Sequence, residues 1–313
     1  MSTNQNNNAK PENATTTFKV MIFSPYLSAI IAMLCWAGST VLVRYVREDS
    51  PPMGLSFWRL ILGFFILLPF ALTPFRKQFH LIKQNWKTLL LLSFLLMVGG
   101  NAILFLSLQY TLAINAAVIN SFEPIIILVL AWVLFRDPVT YRQTIGVFVS
   151  LVGVLVLISM GSIEVLKDMD FNKGDLLVTG AYISWGFYAV MLRKLPNTID
   201  QRVTLLCILG FGSILMFPLY LYEANFVRPT TIDTTTLISI VWLAIFSSVI
   251  SILMWNRAIS HLGAGQAGLF IHLIPAFTVV MAIFLLGEQF QQFHFIGLSL
   301  IFMGIYFSSK KQS

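Results

Sequence analysis

Glu123 stands three residues after Asn120 and directly before Pro124, inside a long apolar stretch. On one helix that spacing puts the carboxyl and the amide on the same side, and a proline at 124 cannot donate to the Asn120 carbonyl. An acid, an amide and a freed carbonyl thus converge where water is scarce, which suits binding a polar solute or moving a proton. Pro275 repeats the device in a second apolar stretch, freeing the carbonyl of Ile271 next to His272. The plain alternatives are an interhelical tie for Glu123 and a hydrogen-bonded core imidazole for His272. Trp36, Tyr182, Trp185, Tyr188 and Trp255 would line a solute chamber, or else anchor spans at the interface and fill the core. Asn101, Gln109, Asn115, Asn256 and Gln266 are cavity groups or interhelical hydrogen bonds worth about 1 kcal/mol each. Arg59, near the outer start of its span, is expected to snorkel to headgroups rather than to attract an anionic solute. The candidate substrate-binding set is therefore Trp36, Asn101, Asn120, Glu123, Tyr182, Trp185, Tyr188, Trp255 and His272, with Pro124 and Pro275 as helix kinks. No catalytic residue, metal ligand or cofactor site is expected.

The elements that must position these residues follow from composition. With 57% apolar and 11% charged residues over 313 positions and a mean hydropathy of +0.82, the chain cannot be a water-soluble domain. A span needs roughly 17 to 25 apolar residues rising about 1.5 Å each to cross about 30 Å of hydrocarbon. Ten stretches qualify: 26–46, 54–73, 88–110, 115–135, 143–160, 174–193, 203–222, 236–257, 265–286 and 293–309. Sliding the chain by 151 positions sets Ala113 on Ala264, Pro124 on Pro275, Asp137 on Glu288, Gly146 on Gly297 and Gly153 on Gly304. Nearer the front the shift is 149, with Trp36 on Trp185 and Arg44 on Arg193. The chain therefore reads as a duplication with five spans per copy. An odd number forces the second copy to enter from the opposite face, so the copies are related by a pseudo-twofold axis in the membrane plane.

The expected fold is an all-α integral membrane protein of ten transmembrane helices built as two inverted five-helix repeats. Residues 1–22 form a disordered cytoplasmic tail, 23–160 the first repeat, 161–173 an external linker, 174–309 the second repeat and 310–313 a cytoplasmic tail. Counting Lys and Arg puts fourteen on the side of both termini and six on the other, as retention of positive charge on the cytoplasmic side requires. The net charge of +7 follows from that topology and is no sign of nucleic-acid binding. Cys35 and Cys207 are too few and too scattered for a disulfide scaffold or thiolate metal site. Gly263 to Gly268 satisfies G-x-G-x-x-G, but it joins two membrane spans rather than a strand and a helix, so it reads as helix packing. Gly146 and Gly153, like Gly297 and Gly304, are seven apart and read as packing faces too. No metalloprotease, nucleophile-elbow or Walker lysine motif occurs, which disfavours an enzyme.

The run Asn120-Ser121-Phe122-Glu123-Pro124, the apolar stretch to Phe135-Arg136-Asp137, and then Gly146 and Gly153 resemble the repeat of EamA-type carriers of the drug/metabolite transporter superfamily. Ile274-Pro275, Gly287-Glu288, Gly297 and Gly304 resemble the second copy, and the tryptophan-led first helices fit as well, so the likeness covers roughly 26–309. Two departures stand out. Asp137 sits where the family commonly has Glu, and Ile274 replaces an acid before the second proline, which argues against symmetric acidic chemistry. The resemblance implies a central cavity formed by both halves and export or exchange of small metabolites such as amino acids, in a bacterial inner membrane. Small multidrug carriers of the superfamily place their key acid in the first helix, whereas 26–46 contains no Asp or Glu. The leading expectation is a secondary transporter working by alternating access at a midplane site, with proton coupling through Glu123 as a narrower form. Its partners are a small-molecule substrate and the lipid bilayer, with a homodimer left open. The rival is a membrane-embedded enzyme or small-ligand receptor without transport.

Overall fold

The computed structural model describes residues 24–46, 50–107, 110, 111, 113–170, 172–231, 233–286 and 289–309. The tails, Gln109 and Glu288 lie outside the described residues. Among those described the chain is helical, without strands. Lipid offers no partner for an open backbone N–H or C=O, so an apolar chain of this length closes its hydrogen bonds within each segment. Eight helices are long and apolar enough to span a bilayer, with window hydropathies of 1.3 to 2.5, and two shorter apolar helices, Trp86–Ala102 and Gln292–Ser308, fall on the third and tenth expected stretches.

In chain order, with two of the spans given as two pieces each, these are α1 (Pro25–Val46), α2 (Pro52–Lys77), α3 (Trp86–Ala102), α4 (Ala113–Asn120), α5 (Glu123–Phe135), α6 (Tyr141–Ile158), α7 (Lys173–Met191), α8 (Gln201–Phe226), α9 (Thr234–Leu262), α10 (Ala264–Gly268), α11 (Leu273–Leu286) and α12 (Gln292–Ser309). Polar residues at the loops fix several starts. Thr140 accepts from the Gln143 N–H in a reciprocal capping box, Asn172 and Asp175 do the same for α7, and Asp233 accepts from Thr236. Asp200 caps α8, and its hydrogen bonds from Arg202 hold the carboxyl below the usual carboxylate range. An acid from the other half caps α2: Glu223 of α8 accepts from the Gly54 N–H at 2.8 Å.

The duplication recurs as local structure. A π-helical stretch occupies Phe94–Ala102 in α3 and Leu243–Ile250 in α9, whose first residues are 149 positions apart. Both proline-bearing spans are interrupted. In the first, α4 ends at Asn120, Ser121 and Phe122 make a turn, and α5 begins at Glu123. In the second, α10 passes through a 3₁₀ turn, Leu269–His272, into α11. Placing Asn120 and Glu123 on one continuous helix face is thereby corrected. The Ser121 N–H turns back to the carbonyls of Ala117 and Val118, the Ile125 N–H opens the next segment on Phe122, and the residue before a proline resists the helical region.

The halves interdigitate. α1 packs on α9 and α11 of the second half, α7 packs on α3 and α5 of the first, and α2 lies along α8. The most extensive contact joins α6 and α12. A methyl added at Gly146 would stand 2.5 Å from the Gly304 carbonyl, and one at Gly153 would stand 2.7 Å from that of Gly297. The early glycine of each helix meets the late one of the other, so the two run antiparallel at a separation only small residues permit. Large side chains such as Phe65, Trp132, Phe148 and Phe284 remain exposed on the periphery, as expected of a lipid-facing surface.

Candidate functional site

Three tryptophans meet where the halves interlock. Trp36 of α1 contacts Trp185 of α7 and Trp255 of α9 edge to face, with ring centroids 5.4 and 5.7 Å apart. Such geometry sets the positive ring edge of one indole on the negative face of another. Trp185 is seated on bare backbone: a methyl at Gly100 would come within 2.3 Å of its Nε1, and one at Gly99 within 2.1 Å of the Ser184 hydroxyl. The indole N–H groups of Trp185 and Trp255 are buried without an acceptor.

Asn101 follows these glycines on the π-helical stretch. Its amide donates to the Leu96 carbonyl at 2.6 Å, and its Oδ1 accepts from the Arg59 guanidinium at 2.8 Å. Arg59 also donates to the Ser247 hydroxyl at 3.0 Å. With only 7% of its surface exposed, Arg59 does not snorkel, correcting the expectation from its position. The polar side chains of two π-helical stretches give the guanidinium acceptors in the interior, so it need not reach the headgroups.

The interrupted helices meet through His272. Its Nδ1 lies 2.7 Å from the Ser150 hydroxyl, and its Nε2 lies 2.8 Å from the Ser121 carbonyl, 151 positions away. A carbonyl only accepts, so Nε2 carries the proton and donates. Asn120 donates to the Tyr182 hydroxyl at 2.8 Å. Glu123 is buried, 5% exposed, and its carboxyl makes no hydrogen bond among the described residues. Tyr188 donates to Asn256 at 2.7 Å, both fully buried.

Tyr182, Trp185 and Tyr188 recur every three residues on α7 and so share a face. That stripe joins the parts: Tyr182 meets Asn120, Trp185 meets Trp36, and Tyr188 meets Asn256. Two other polar residues are spoken for elsewhere. Asn115 donates to Asp170 and to Asp175 at the start of α7, and Gln266 donates to Tyr26. Sequence reasoning missed Ser150, Ser247 and the Gly99–Gly100 seat. Two consecutive glycines before an asparagine, deep in an apolar stretch, were the available signal for the last. The surface concavities lined by Phe290, Gln291, Gln292, Phe295 and Ile296, and by Thr144, Ile145, Phe148, Val149 and Val152, contain none of the candidate residues.

Comparison with known proteins identifies the family. The model of the EamA-like transporter family matches twice, over residues 23–159 and 172–310. The chain is 26% identical over 277 residues to the uncharacterized transporter YyaM of Bacillus subtilis (strain 168), covering 88% of this chain and 90% of that protein. It is 22% identical over 290 residues to a probable amino-acid metabolite efflux pump of Salmonella typhimurium, covering 89% and 92%. A solved crystal structure of a protein shares the fold with a TM-score of 0.75 at 16% identity, covering 91% of this chain and 96% of that one. Apolar helices in two copies of one family pattern, spanning nearly all of the sequence, place this chain in the EamA-like transporter family of membrane proteins.

Proposed function

We propose that this protein is a secondary carrier that exports or exchanges a small metabolite such as an amino acid. In this reading two inverted five-helix repeats rock against each other around the Trp36–Trp185–Trp255 chamber, opening it to one face and then the other. The observation that carries it is that repeat mates touch at the centre: Trp36 meets Trp185, and the Ser121 carbonyl meets His272. Equivalent residues of two copies contact each other only where the axis relating the copies passes. The crossed pairing of Gly146 with Gly304 and Gly153 with Gly297 has the same reciprocity and supports the inverted arrangement.

A site on that axis is shared by both repeats, so a small relative rotation changes which side it faces. The interrupted helices supply the give: each break leaves backbone polar groups beside the chamber, and the His272 bridge would be exchanged as the repeats move. Glu123, buried without a hydrogen bond, is the group that would carry a coupling proton. Movement follows solute or ion gradients, with both termini cytoplasmic in a bacterial inner membrane. The amino-acid assignment draws on the efflux pump similar to this chain. The one serine that His272 meets is fully buried, and the imidazole is also committed to the Ser121 carbonyl, which fits a bridge between the repeats of a carrier better than a nucleophile and base of a membrane-embedded enzyme.

The test is counterflow by purified protein in proteoliposomes with amino acids, nucleosides, polyamines and drugs. Saturable exchange of one class supports the carrier. Binding of a solute without exchange would overturn it in favour of a receptor.

A further inference from the structure

Arg59 is buried inside a membrane protein with no counter-ion among the described residues. Its hydrogen-bond partners, Ser247 and Asn101, are both neutral, its Nε has none, and no ion pair joins it to a described carboxylate. A guanidinium has five N–H donors, so three remain free here. Lone charges in such a place are costly and persist for function.

The duplication shows that the scaffold does not need this one. At the shift of 149 that relates Trp36 to Trp185 and the two π-helical stretches, Arg59 corresponds to Ile208 and Asn101 to Ile250. The equivalent positions of the second copy thus hold two isoleucines, and the polar pair is an addition to one copy alone. It adjoins the tryptophans, because Trp185 rests on Gly100, next to Asn101.

We propose that Arg59, Asn101 and Ser247 form the subsite for the carboxylate of the transported solute, whose apolar body lies against Trp36, Trp185 and Trp255. This rests on the carrier reading above. One guanidinium balances a single negative charge, and its planar fork suits a carboxylate. The buried N–H groups of Trp185 and Trp255 are further donors in the same chamber.

Three probes of one shape separate the sources of that chemistry: 3-phenylpropionate, phenylalanine and phenylalaninamide, measured by counterflow and tryptophan fluorescence on the full chain. Wild type should take one or both carboxylates at least tenfold better than the amide. Preference for 3-phenylpropionate would assign an amine-free acid, and preference for phenylalanine a zwitterion. Arg59→Ile should lose tenfold or more for the carboxylates while leaving amide binding unchanged, and Arg59→Lys should keep part of the preference. A purely structural tether would instead lower all three alike. Should Arg59→Ile not fold, Asn101→Ile must show the same selective loss. The amide taken as well as phenylalanine, or carboxylate preference intact in Arg59→Ile, overturns the subsite. Exchange of uridine or putrescine with both carboxylates refused also overturns it, but leaves the carrier standing. Exchange of nothing removes both.

Discussion

At the scale of single residues, two buried side chains make opposite demands. His272 is fully satisfied, bridging Ser121 and Ser150 across the halves. His272→Ala would leave the buried Ser121 carbonyl without its donor and should lower stability by about 1 to 3 kcal/mol, read as an earlier thermal transition in detergent. Glu123 is not satisfied, so a structural penalty is not expected from an isosteric change. Glu123→Gln should abolish transport driven by a pH gradient in proteoliposomes while leaving counterflow exchange, and unchanged coupling would dismiss a proton role. Glu123 and His272 were legible because polar residues in apolar stretches stand out. The direction Arg59 takes was not. A cation seven residues into α2 can reach headgroups or the interior equally well, and the acceptors that decide it, Asn101 and Ser247, lie 42 and 188 positions away.

At the scale of elements, the spans were legible because hydrocarbon thickness fixes their length, and the prolines marked both interruptions. How helices face one another was much less so. In water an apolar stripe marks the buried side, but here lipid and interior are both apolar, so only small and polar residues report the facing. Gly146, Gly153, Gly297 and Gly304 did report it, and they set α6 against α12. Gly146→Val would drive a branched side chain into the Gly304 backbone, where neither helix can yield locally. It should cost at least about 1 to 3 kcal/mol, seen as reduced folded yield and a lower melting temperature. Gly100→Val belongs with it, since it would unseat the Trp185 indole. That variant should weaken solute binding more than stability, checked by comparing affinity with the thermal midpoint. The π-helical stretches had no signature beyond the duplication itself. In the first of them the side-chain amide of Asn101 also donates to the Leu96 carbonyl.

At the scale of the whole molecule, duplication organises everything else. Copies that interdigitate, with α1 on α9 and α7 on α3, cannot move as separate domains. The proposed rocking would shift them about the line where Trp36 meets Trp185 and Ser121 meets His272. The ten crossings proposed would put both ends of the chain on one side, so an impermeant thiol reagent should label cysteines placed at Ser2 and Ser313 from the same face. The most direct measurement is of Asn120→Cys, placed in protein carrying Cys35→Ser and Cys207→Ser, in vesicles of known orientation. A membrane-impermeant maleimide should reach that cysteine from either side, with transported solute changing the ratio of the two rates. Labelling from one face alone, whatever the solute, would contradict a chamber that opens alternately between the halves.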